Sequence, residues 1–108
     1  MNKIDLVKII KSKIPNIPIE LEIDGDVRVF NKDHYEILFD EIFIIIKIYV
    51  RIKGVTIEAI DYTPREYEEV HKCIDIIIKE IYINEKLIKI DNYLEQNLIS
   101  IINNVLEY

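Results

Sequence analysis

Lys47, Tyr49, Arg51 and Lys53 occupy alternate positions of the stretch IKIYVRIKG. No acid falls between Glu41 and Glu58, so the local charge there is +3. On one face of a strand, such a row could touch phosphates through its cations and stack a base on its ring. The plainer reading is the wet side of a half-buried sheet, its cations meeting Glu20, Glu22 and Glu58 across strands. Only one aromatic sits in the row, whereas recognition sheets present two or three. The solvated face is therefore the default, with nucleic-acid binding through Lys47, Tyr49, Arg51 and Lys53 as the alternative.

Other reactive residues give weaker patterns. His71 and Cys73 are two apart in a segment that reads as helix, so they point in different directions and make a poor nucleophile–base pair. Neither His34 nor His71 has a second histidine three or four residues away, so zinc spacing is absent. Asp24-Gly25-Asp26 lacks the later ligands of a calcium loop and reads as a tight turn. Asp40 and Asp61 fall near strand ends, and a small metal-dependent enzyme is the third functional reading. With Gly25 and Gly54 the only glycines, no glycine-rich phosphate loop exists. No catalytic residue, cofactor or metal site is assigned.

The totals bound these readings. The 108 residues carry a net charge of −6. Residues 1–54 hold nine Lys/Arg and nine Asp/Glu, and residues 55–108 hold five against eleven, so all the excess acid lies in the second half. An acidic chain is repelled by phosphate unless a local patch outweighs the mean field. Cys73 is alone and can form no internal disulfide. The longest apolar run, Ile42 to Ile46, is far short of the ~20 residues of a membrane span. The charge-interrupted start MNKIDLVKIIKSK is unlike a signal peptide, so a cytoplasmic location is expected. Isoleucine reaches 27 residues against seven leucines, and Lys outnumbers Arg 11 to three, a bias that fits AT-rich coding, as in some archaea and viruses.

The elements that must position these residues follow from periodicity. Ile4, Val7, Ile10 and Ile14 predict a helix over 3–14, which the prolines of IPNIP end. IELEIDGDVRVF predicts a hairpin, with a three-residue loop at 24–26 pairing Ile23 with Val27 and Leu21 with Val29. Residues 32–40 read as a short helix, or else as a strand with Tyr35, Ile37 and Phe39 on one side. A two-residue turn at Lys53-Gly54 would fold 42–60 into a long hairpin, Ile52 facing Val55. Thr63-Pro64-Arg65-Glu66 has the chemistry of a helix start, and Tyr67, Val70, Ile74, Ile77, Ile78 and Ile81 form a stripe to Tyr82. After a connection with some strand character, Asp91 suits the N-cap of a last helix with Leu94, Leu98, Ile101, Ile102 and Val105 inward.

The sum is an α+β fold over residues 1–108, a single compact domain. Two layers are expected: an antiparallel meander of four or five strands, with helices on one face, in the order α-β-β-(α)-β-β-α-α. Ile60, Ile76, Ile99, Leu106 and Tyr108 fall off the predicted core stripes. Surplus apolar surface marks interfaces. The leading functional expectation is therefore a small acidic, non-enzymatic interaction or regulatory module, a homodimer through these residues, meeting a further protein partner by surface contact.

Overall fold

Ile42, Ile44, Ile46, Ile48, Val50 and Ile52 stand at every second position, and successive side chains of an extended chain point to opposite faces. All six are buried, at 0–4% exposure. The computed structural model describes residues 2–57 and 66–108. Its elements are α1 (Lys3–Lys13), β1 (Ile17–Pro18), β2 (Glu22–Asp24), β3 (Val27–Phe39), β4 (Ile42–Ile57), β5 (Glu66–Ile83), β6 (Lys86–Ile88), α2 (Asn92–Val105) and β7 (Leu106–Glu107). The fold is α+β. Five antiparallel strands run in the order β2-β3-β4-β5-β6, with the helices packed on one side. The short β1 and β7 pair in parallel, and the Ile19 amide donates to the Glu107 carbonyl at 2.8 Å.

One cluster forms the core. It joins the inward row of β4 to Phe30, Ile37 and Phe39 of β3, to Ile76, Ile78 and Ile81 of β5, and to Leu6, Ile10, Leu94, Leu98, Ile101 and Ile102 of the helices. The inward stripe of α1 is thus Leu6 and Ile10, while Ile4 is exposed. Asn2 caps α1 by accepting the Asp5 amide at 2.8 Å, and Asp91 caps α2 by accepting the Leu94 amide at 2.8 Å. Lys3 also bonds the Asp91 carboxylate, tying the two helix starts together. That bond first, and the Leu94 amide second, hold the Asp91 carboxyl below its ordinary 3.8.

Several expected elements are corrected. Residues 32–39 belong to β3, not to a helix, with Tyr35, Ile37 and Phe39 toward the core as the strand reading required, and Asp40 opens the turn to β4. A bulge between Lys32 and Tyr35 absorbs the polar Asp33-His34. The 24–27 turn is a hairpin, but its register differs: Asp24 pairs with Val27 and Glu22 with Val29, leaving Gly25-Asp26 as a two-residue loop. Gly25 takes φ +61° at the first loop position, where a residue with a Cβ is strained. No turn occurs at Lys53-Gly54. β4 runs through it to Ile57 because β5 lies alongside the whole length, and the Gly54 amide donates to the Asp26 carbonyl at 2.9 Å.

The largest correction is the expected helix from residue 63 to Tyr82. From Glu66 onward it is β5, the longest strand; Thr63, Pro64 and Arg65 lie outside the described residues. Ile74 and Ile78 are four apart, a spacing that helix and strand share, while Val70 sits in a bulge opposite Lys53–Gly54 and is 66% exposed. A bulge opposite Ile45–Ile46 then shifts the inward set to Ile81 and Ile83, which mimics a helical step. Isoleucine favours the strand, and β4 offers a long hydrogen-bonding edge. The element order is therefore α-β-β-β-β-β-β-α-β.

Strands of this length make an elongated molecule, 60 × 24 × 21 Å. Its radius of gyration is 17.3 Å. A compact chain of this size would give about 13 Å. Two outcomes test the layering. Ile48→Ala, which empties a fully buried site on the central strand, should cost about 2–5 kcal/mol in denaturant unfolding; a loss under about 0.5 kcal/mol would contradict the core placement. Because the folded Asp91 value is depressed, its contribution is complete above 3.8 and is lost as pH falls through the lower folded value. Asp91→Asn keeps a capping oxygen without the charge. The difference in melting temperature between wild type and this variant should be largest near neutral pH and close in acid; a pH-independent difference contradicts the assignment.

Candidate interaction surface

The odd positions of β4 line the opposite face of the sheet, which no helix or strand among the described residues covers. Direct partners across the ladders share a face, so the register maps it. Asn31, Tyr49 and Asp75 form one row; Val29, Arg51 and Cys73 the next; Val27, Lys53 and His71 the third. Lys47 and Lys53 are exposed, and Tyr49 and Arg51 half-buried. The row Lys47, Tyr49, Arg51, Lys53 does face away from the helices, as its alternation requires.

Its electrostatics differ from the +3 of the linear sequence. Lys47 lies 3.7 Å from the Asp33 carboxylate in the β3 bulge. Asp75 flanks Tyr49, Glu68 pairs with Val55, and the observed β2–β3 register puts Glu22 and Asp24 on this same face opposite Val29 and Val27. Lys79 joins the three cations, its ammonium donating to the Asp33 carbonyl at 2.9 Å, so four cations share the region with five carboxylates and no net positive field meets a phosphate. Glu20 precedes β2, and Glu58 lies outside the described residues.

The other end of the face is apolar. Leu38, Phe43, Tyr82 and Leu87 are direct partners on β3, β4, β5 and β6, one unbroken row across four strands. Leu38 is 70% and Leu87 63% exposed. The Phe43 and Tyr82 rings meet at a tilt of 40°, 5.9 Å between centroids. In the next row Ile45 lies between Glu36 and Glu80, only 9% exposed, and beyond it Ile77 is 45% exposed beside Lys47. Leu38, Phe43, Ile45 and Tyr82 floor a shallow depression of about 710 Å³, walled at the strand turns by Asp40, Glu41, Asn84 and Glu85. Acids thus border the apolar row on both sides. Glu80 accepts the Tyr82 hydroxyl at 2.6 Å. This bond, with burial and the carboxylate charge, holds the phenol above its ordinary 10.0. The hydroxyl is spent on Glu80, and the ring is what Tyr82 presents outward.

The residues expected to form an interface are not gathered. Ile76 is inward on β5, 5% exposed, because the segment is a strand rather than a helix. Ile99 and Leu106 pack against the core from α2 and β7. Tyr108 is exposed, with the Lys72 ammonium 4.3 Å above its ring. Ile60 lies outside the described residues, as does Asp61. Asp40 is paired with Lys13 at 3.4 Å, and His34 with Glu36 at 2.9 Å. Cys73 and His71 are exposed, on one face of β5. Among the described residues no three His, Cys, Asp or Glu side chains gather as a metal site needs, and no helix is long and apolar enough to cross a membrane. Sequence reasoning missed the apolar row because it follows only from pairing β3 through β6 as strands.

No protein-family model, curated protein or solved structure matches the chain. The surface is therefore read from its own chemistry. The mixed charge around Arg51 predicts no shift of single- or double-stranded oligonucleotides in gel mobility at low salt, for wild type and Arg51→Glu alike. A salt-sensitive shift abolished by Arg51→Glu would contradict this.

Proposed function

We propose that the chain is a small acidic, non-enzymatic interaction module, and that the apolar end of its bare sheet face is the surface it uses. One observation carries the reading: Leu38, Phe43, Tyr82 and Leu87 lie side by side across four strands with no element of the described residues over them. Contiguous exposed apolar surface rimmed by polar groups is characteristic of contact sites. The fold has another side in which to bury apolar residues, and it does so thoroughly, so the row is not a failure of core formation.

Homodimerisation is the second reading, carried by the same row. Two copies meeting face to face about a two-fold axis would cover both rows at once. The meeting also sets one acidic rim against its copy, so self-association on this face strengthens as salt screens the carboxylates.

An apolar fluorescent probe, bis-ANS, should bind the wild type saturably, and the doubly substituted Leu38→Asp/Leu87→Asp protein should lose that binding while keeping its circular dichroism and melting temperature, since both side chains are exposed. Unchanged probe binding in the double variant removes the reading. Light scattering across a salt series reports the dimer separately: a mass that doubles with salt in the wild type and not in the variant supports it, and a salt-independent monomer counts against it.

A further inference from the structure

We infer that the occupant of the apolar row is a cationic amphipathic helix of a partner protein. The inference rests on the reading of the bare face as a contact surface and names what that surface takes.

Two observations select the occupant. The first is backbone chemistry. At Phe43 and Tyr82 the backbone is paired on both sides, and the unpaired edges of β3 at Leu38 and of β6 at Leu87 point along the plane of the sheet, not out of its face. Such a face offers no free donors or acceptors to an incoming main chain. A segment that docks there loses water from its own peptide groups and must satisfy them internally. A helix does this and an extended strand does not. The dimensions agree: four strands at about 4.8 Å spacing span roughly 14 Å. Apolar residues at i, i+3, i+7 and i+10 of a helix cover a stretch of about 15 Å.

The second is charge. Glu36 and Glu80 border the row on one side, and Asp40, Glu41 and Glu85 on the other. Asp40 already pairs with Lys13, Glu36 meets His34 and Glu80 accepts the Tyr82 hydroxyl, so Glu41 and Glu85 at the strand turns carry the attraction most directly. A helix whose apolar stripe is flanked by lysine or arginine places cations over both acidic borders, while an acidic helix or a second copy of this chain meets like charge. Electrostatic attraction also sets the sign of the salt effect: cationic-helix binding weakens with salt, whereas self-association strengthens.

The test uses the full chain and a synthetic amphipathic helix with leucines on one face and lysines on the other, titrated by fluorescence anisotropy. Its control has every lysine replaced by glutamate. The lysine peptide should bind, and binding should weaken about tenfold with Leu38→Asp/Leu87→Asp and about tenfold with Glu41→Gln/Glu85→Gln, both changes being at exposed positions, with the glutamate peptide at least tenfold weaker. Equal binding of the two peptides, no binding of either, or indifference to Glu41→Gln/Glu85→Gln overturns the inference. Saturable bis-ANS binding by the wild type that is lost in Leu38→Asp/Leu87→Asp, or a salt-induced dimer dissolved by the same changes, would in those cases leave the contact-surface reading standing.

Discussion

Ile44, Ile46, Ile48, Val50 and Ile52 pack in one cluster with Leu6 and Ile10 of α1 and with Leu94, Leu98 and Ile102 of α2. This contact decides which side of the sheet is dry. Side chains on a strand alternate, so a slip of one residue would exchange the two faces of β4 completely. Lys47 and Lys53 would then enter the core, where an unpaired charge is expensive, and five branched side chains would enter water. The register of β4 is therefore strongly held. Because β3 and β5 each pair with it for most of their length, their faces are held too. Every position on the open face inherits its placement from this one seam.

A sheet covered on one side leaves the other as a place for function. The open face divides along its length. At one end cations and carboxylates of several strands intermingle, and the summed field is weak. At the other end apolar residues align across the strands under an acidic border. The strand edges are less inviting. Bulges interrupt β3 at Asp33-His34 and β5 opposite Ile45–Ile46, and exposed charges such as Lys32, Lys72, Asp75 and Lys79 stand on these strands. Bulges and charges are how natural sheets discourage strand addition. Contact through the face is thus the better supported route.

Much of this is legible in the sequence. The alternation of residues 46–53 showed its inward and outward sides correctly, and Asp91 marked the start of the last helix. The α+β class and the antiparallel sheet also followed from pattern. What failed did so for one reason: local signals were weighed without knowing which strand lay alongside. Lys53-Gly54 has turn composition, yet β4 continues because β5 gives it a partner. Tyr67 through Ile81 has helical spacing, yet the same positions fit a bulged strand once β4 offers its edge. With residues 32–40 and 66–83 misassigned, Leu38 and Tyr82 could not be seen as neighbours of Phe43. Of the residues expected at an interface, Ile76 turned inward once its segment became a strand, Ile99 and Leu106 pack against the core, Tyr108 is exposed, and Ile60 lies outside the described residues.

The layering of β4 is open to one direct measurement. With isoleucine and leucine methyl groups labelled, a soluble paramagnetic agent broadens those that reach water. Leu38, Leu87 and Ile77 methyls should broaden strongly, while those of Ile44, Ile46, Ile48 and Ile52 should stay sharp. Sharp Leu38 and Leu87 signals beside broadened Ile46 and Ile48 signals would mean that the sheet faces the other way, and the surface described here would not exist.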